Sequence, residues 1–90
     1  MIIQKYRQVE RHKNGQIAYF CTWAEISPLS ANDYPGRIED KDGRLLIRIG
    51  FCMKFFSNRQ LAWCLKYDKR GLPVSGYHKA FRRDGRRIVL

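Results

Sequence analysis

Ninety residues suffice for one domain with one modest core and leave no room for a separate catalytic unit. Eighteen Lys and Arg against eight Asp and Glu give a formal net charge of +10, which favours a polyanionic partner and must otherwise be carried as self-repulsion. An apolar share of 44% with 13% aromatics excludes a disordered tail, and no run of about eighteen apolar residues is available to cross a bilayer as a helix.

The first segment, IIQKYRQVERH, is β-branched and aromatic enough for a strand, and it carries neither the apolar stretch nor the cleavage site of a signal peptide. Lys13-Asn14-Gly15 then marks a turn into QIAYFCTW, a second strand. Ser27-Pro28 before LSAND supplies an N-cap and a proline at the first helical position, so one helical turn is expected there, ended by Pro35-Gly36. Lys41-Asp42-Gly43 marks the next turn. The acids Glu39, Asp40 and Asp42 around it read as turn formers balancing Arg37, Lys41 and Arg44, not as a cation loop. RLLIRIGFCMKFF follows as a long strand.

SNRQLAWCLKYDKRG admits two readings. Ser57 and Gln60 match a capping box and Gly71 could close a helix, yet Leu61, Trp63, Leu65 and Tyr67 alternate with Gln60, Ala62, Cys64 and Lys66 at strand period, and the alternation is favoured. Asp68-Lys69-Arg70-Gly71 and Arg83-Asp84-Gly85 are the last two turn signals, bracketing the weaker strands VSGYHKAF and RRIVL. The expected fold is mainly β: a single basic domain over residues 1–90, an antiparallel meander or barrel-like sheet of five to seven short strands with at most one short helix. It becomes α+β if residues 58–68 are helical. A closed barrel or a strongly curled sheet is favoured because a flat one would leave edges open.

Cys21, Cys52 and Cys64 are odd in number and unrelated in spacing, which predicts buried, reduced thiols and a cytoplasmic location. No CxxC or HxxxH is present, so a zinc site from Cys52, Cys64 and His78 is rejected and no metal or cofactor is expected. Trp23 and Trp63 are expected in the core.

Charge is the most informative feature. No Lys or Arg occurs from Gln16 to Gly36, whereas Lys66, Lys69, Arg70, Lys79, Arg82, Arg83, Arg86 and Arg87 crowd the last third against only Asp68 and Asp84. A two-residue Asp84-Gly85 loop would set Arg83 opposite Arg86 and Arg82 opposite Arg87. Lys79, Phe81, Arg83, Arg86, Ile88 and Leu90 would share one side of that hairpin, and His78, Ala80, Arg82, Arg87 and Val89 the other. The opposed guanidinium groups would be relieved by a phosphate between them, and a two-stranded ribbon fits the major groove. Tyr67, Tyr77 and His78 in the same third are candidates for stacking on bases.

The leading expectation is therefore a non-enzymatic nucleic-acid-binding module that prefers duplex DNA to RNA. The first alternative is a protein-binding module or inhibitor, of the size common among phage and mobile-element accessory proteins, docking an acidic or nucleic-acid-binding partner. The second is a metal-independent ribonuclease using His12, His78 and Glu10 with the arginines, which needs a general base, a general acid and cations to meet.

Overall fold

One kind of loop, used five times, shapes the chain. In the computed structural model, which describes residues 2–89, the N–H of His12, Asp40, Phe56, Asp68 and Arg82 each donates to the carbonyl four residues on, and the residue three on donates back. This is the three-residue hairpin loop closed by a bulge in left-handed conformation. Glycine fills that position at Gly15, Gly43, Gly71 and Gly85, whereas the fifth loop holds Arg59 at φ 73°. Asn14, Asn58 and Asp84 each accept from the N–H two residues on, at 3.0 Å. In the other two loops the first residue does this work: Asp40 takes the N–H groups of Asp42 and Arg44, and Asp68 those of Arg70 and Leu72.

Between these loops lie β1 (Ile2–Arg11), β2 (Ile17–Ile26), a 3-10 helix (Pro28–Asp33), β3 (Ile38–Glu39), β4 (Leu45–Phe55), β5 (Leu61–Tyr67), β6 (Lys79–Phe81) and β7 (Arg87–Ile88). The helix is the turn expected after Ser27, whose Oγ accepts from the Leu29 N–H, with Pro28 opening it. The strands form one antiparallel sheet in the order β1-β2-β4-β5-β6-β7, with β3 paired to β4. β2 occupies one side of β4, so β3 (at Leu45 and Leu46) and β5 (at Gly50 to Phe55) share the other. They meet at two glycines: the Gly36 N–H donates to the Arg70 carbonyl at 3.2 Å, and Gly36 lies so close to Gly71 that no side chain fits between them.

Residues 58–68 contain no helix: Asn58 caps the loop to Gln60, and the alternating segment Leu61–Tyr67 is strand paired with β4. The sheet stays open and does not close into a barrel. Its margins are protected in other ways, since β7 is two residues long and β1 carries Lys5, Arg7 and Arg11 with two register irregularities. The molecule is a single layer, 46 × 30 × 17 Å.

Two small cores lie on opposite faces, as period-two alternation requires. Ala24, Ile26 and Ile47 pack with Leu45, Ile49 and Tyr34, the last brought over the sheet by the segment that follows the 3-10 helix. On the other face Cys21, Cys52 and Tyr67 pack with Tyr19, Trp23, Trp63 and Leu65. Trp23 and Trp63 are thus only partly buried, at the margin of that core. Cys21 and Cys52 are joined in a disulfide across β2 and β4, their Cα atoms 4.3 Å apart, which corrects the expectation of three thiols. A separation of 31 residues gave no hint of the pairing, because adjacency of β2 and β4 is set by the sheet order. Cys64 alone is a free thiol among the described residues, and a reducing compartment can no longer be inferred from cysteine usage.

Candidate nucleic-acid interface

The last hairpin differs from the expected one by a single residue. Its loop is Arg83-Asp84-Gly85, closed by Arg82 opposite Arg86, so Phe81 faces Arg87 and Ala80 faces Ile88. A one-residue shift turns every returning side chain to the other face. Phe81 and Ile88 therefore lie on opposite faces, and Leu90, expected beside them, is outside the described residues. Arg83 and Arg86 turn to different partners. Arg86 Nε lies 3.5 Å from Asp84 Oδ2, while the Arg83 guanidinium sits 5.6 Å from the Phe56 ring centre. Asn58 Nδ2 ties the Arg83 carbonyl down at 3.1 Å. Arg70 is likewise within 3.8 Å of Asp68 in its own loop, beside exposed Lys69.

A different grouping of cations emerges from the register. Cross-strand partners share a face, so Val9, Phe20, Met53, Cys64 and Lys79 form one row across five strands. The same face carries Lys5 and Arg7 on β1, Phe51 and Lys66 on β4 and β5, and Phe81 and Arg87 on β6 and β7. Lys5, Arg7, Lys66, Lys79 and Arg87 come no closer than 4 Å to any carboxylate among the described residues. Glu10 and Glu25 project from the opposite face, where they accept from Gln8 and Gln4. Glu39, paired with Leu45 at the far end of β4, lies on the basic face itself. This basic face thus has cationic margins on β1 and on β5 to β7, flanking an aromatic middle. Each margin sends a cation over a ring: Arg7 lies 5.9 Å from the Phe20 ring centre, and Lys66 Nζ 5.5 Å from that of Phe51.

The opposite face carries the core around Cys21 and Cys52, whereas the basic face holds the Ala24–Ile47 core at its far end. Arg48 lies over the rings of Tyr67 and Trp23 at 4.6 and 5.8 Å, Tyr19 and Trp63 tilt together at 6.0 Å, and Gln8 accepts from the Trp23 indole at 2.9 Å. Burial pushes the Tyr19 hydroxyl above its ordinary pKa of 10.0, against the pull of Arg48. Tyr67, a stacking candidate by sequence, is 5% exposed beneath Arg48 and belongs to this core, out of reach of a base.

Tyr77 fares differently. Pro73 and Val74 run beside Tyr67 and Lys66, and Lys79 pairs with Cys64, so the chain advances five residues from Val74 to Lys79 while β5 recedes by two. The surplus leaves the sheet as an excursion through Gly76 at φ 85°, and it lays Tyr77 against Phe51 (ring centres 6.3 Å apart) with Lys66 Nζ 4.6 Å from the tyrosine ring. His78 is exposed at the foot of the same excursion, beside an open hollow shared with Arg87, Ile88 and Val89.

The ribonuclease roles find little geometric support. His12 Nε2 donates to the Phe55 carbonyl at 2.9 Å, so that nitrogen holds the β1–β2 loop to the end of β4, and Glu10 accepts from Gln8. Among the described residues no three His, Cys, Asp or Glu side chains gather as metal ligands, and no helix is long and apolar enough to cross a membrane. Comparison with protein-family models, curated proteins and solved structures finds no match to this chain.

Proposed function

We propose that the chain binds nucleic acid across its basic face, with Lys5 and Arg7 on one margin and Lys66, Lys79 and Arg87 on the other taking phosphates. The supporting observation is that these five cations share one face and have no carboxylate partner among the described residues; of the cations expected from the sequence, Arg70 and Arg86 are matched by Asp68 and Asp84, while Lys69, Arg82 and Arg83 are not. Unmatched cations beside exposed rings are what a polyanion with apolar bases complements. Five neutralised phosphates correspond to a log–log salt slope of about −3.5 to −4.5. A salt-titrated mobility-shift assay tests the reading. Lys5→Gln with Arg7→Gln, or Lys79→Gln with Arg87→Gln, should each flatten the slope by about 1.4 to 1.8, and Arg70→Gln with Arg86→Gln should change it far less. Affinity independent of salt would end the proposal.

One observation favours a second reading, docking of an acidic protein segment. β1 is a ten-residue margin strand whose outer side is unpaired among the described residues, with Ile3, Tyr6 and Val9 exposed beside Lys5 and Arg7. An extended acidic strand would complete its hydrogen bonds. Partner capture that survives nuclease digestion and is lost on Lys5→Glu with Arg7→Glu would support this reading over the first.

A further inference from the structure

The basic face contains a place where an unpaired base can stack, and this concerns which nucleic acid is bound. Phe51 and Tyr77 are 43% and 42% exposed, although aromatic rings in a small protein are its most valuable core material. They come from unrelated parts of the chain. Phe51 stands on the central strand β4, whereas Tyr77 is delivered by the excursion between Val74 and Lys79. Four residues that add nothing to the sheet ladder thus place one ring at an open angle of 66° to another. Lys66 Nζ hangs over both rings, 5.5 and 4.6 Å from their centres, with no carboxylate of the described residues to hold it elsewhere.

A flat ring and an unmatched ammonium within one side chain's reach complement the two halves of a nucleotide, the base and its phosphate. A duplex cannot use them, because its bases present edges to the grooves while their faces are stacked inside. The part that was expected to read a duplex is also not free to enter a groove. Arg83 is folded onto Phe56, its carbonyl is held by Asn58, and Gly85 abuts the Gln60 side chain.

We infer that Phe51, Tyr77 and Lys66 form a stacking site for an unpaired nucleotide, which makes the ligand single-stranded nucleic acid. The inference rests on the phosphate-binding reading given above. Lys66 swings from the rings to the phosphate as the base takes its place, and Lys79, two residues beyond Tyr77, continues the contact along the strand.

Fluorescence anisotropy with three labelled probes tests it: a twelve-nucleotide oligothymidine, an abasic phosphodiester of the same length, and a twelve-base-pair duplex, each titrated with the full chain at several salt concentrations. The oligothymidine should bind about 5- to 150-fold more tightly than the abasic strand, the range one stacked base supplies. Tyr77→Ala should erase that difference while leaving the abasic affinity in place, and Tyr77→Phe should preserve it. Equal affinity for oligothymidine and abasic strand, or tighter binding of the duplex, overturns the stacking site but leaves phosphate binding standing. Binding of none of the three overturns both. A thermal melt of Tyr77→Ala that matches the parent keeps unfolding from imitating a lost site.

Discussion

Gly36 backs directly onto Gly71, where the approach to β3 and the turn after β5 meet beside β4. Gly71 in turn rests on Ile47, at the centre of one small core: a Cβ built there would lie 2.9 Å from Ile47 Cγ2. Gly36→Ala should destabilise the domain by about 1–3 kcal/mol, the usual cost of forcing an extra group into a filled site. Chemical denaturation would report it as a lower midpoint at unchanged slope, and an unchanged midpoint would mean that the two segments do not touch in solution.

Arg59 occupies the left-handed position that glycine fills in the other four loops. An L-residue pays roughly 1–2 kcal/mol there, partly offset in Arg59→Gly by the greater freedom of glycine in the unfolded chain. The replacement should therefore raise stability by about 0.5–1 kcal/mol, visible as a higher melting temperature, whereas β-branched Arg59→Val should lower it.

The Asp68 carboxyl is held below its ordinary pKa of 3.8, first by the Leu72 N–H, whose effect outweighs the opposing push from burial, and further by the Arg70 N–H and the Arg70 guanidinium. A carboxylate with a depressed folded-state pKa adds stability that is complete above the unfolded value and fades as the pH falls through the folded one. Stability should thus be flat near neutrality and decline below about pH 4. Asp68→Asn should lose stability at neutral pH and show a shallower acid decline. Parallel curves for parent and variant would sink this account.

Thiol chemistry offers a direct check on the β2–β4 pairing. Burial pushes the Cys64 thiol above its ordinary pKa of 9.0 although Lys79 pulls the other way, so the folded protein should react sluggishly with iodoacetamide. Unfolded without reductant, the chain should take up one label, at Cys64, and after reduction it should take up three. Three labels before reduction would restore the thiols read from the sequence. Reducing the bridge should cost about 2–4 kcal/mol.

Much of the fold was legible because it is written locally. Asn14-Gly15, Asp42-Gly43, Arg70-Gly71 and Asp84-Gly85 name their turns, and the alternation from Leu61 to Tyr67 outweighed the Ser57–Gln60 pair that mimics a helix cap. The turn at Asn58-Arg59 stayed hidden because arginine stands where glycine would have announced it. The site was harder to read than the fold. Whether Lys79 and Arg87 join Lys5 and Arg7 depends on which face each strand shows, and bulges at Glu10–Arg11 and Lys54–Phe55, the extra loop residue at Arg83, and the excursion carrying Tyr77 all reset that parity. A pile of arginines in one dimension drew notice. Lys5 and Arg7, at the other end of the chain from Lys66, Lys79 and Arg87, did not.

The loops at one end of the sheet also clasp one another. Asn14 Nδ2 donates to the Ser57 carbonyl at 3.0 Å, and Asn58, at the matching place in its own loop, donates to the Arg83 carbonyl at 3.1 Å. The third loop has Asp84 at that place, and a carboxylate has no hydrogen to hand on; Arg86 claims it instead. One amide exchanged for an acid thus gives the relay a terminus: an asparagine there would hold out a donor toward the next sheet to arrive, and the aspartate withholds it.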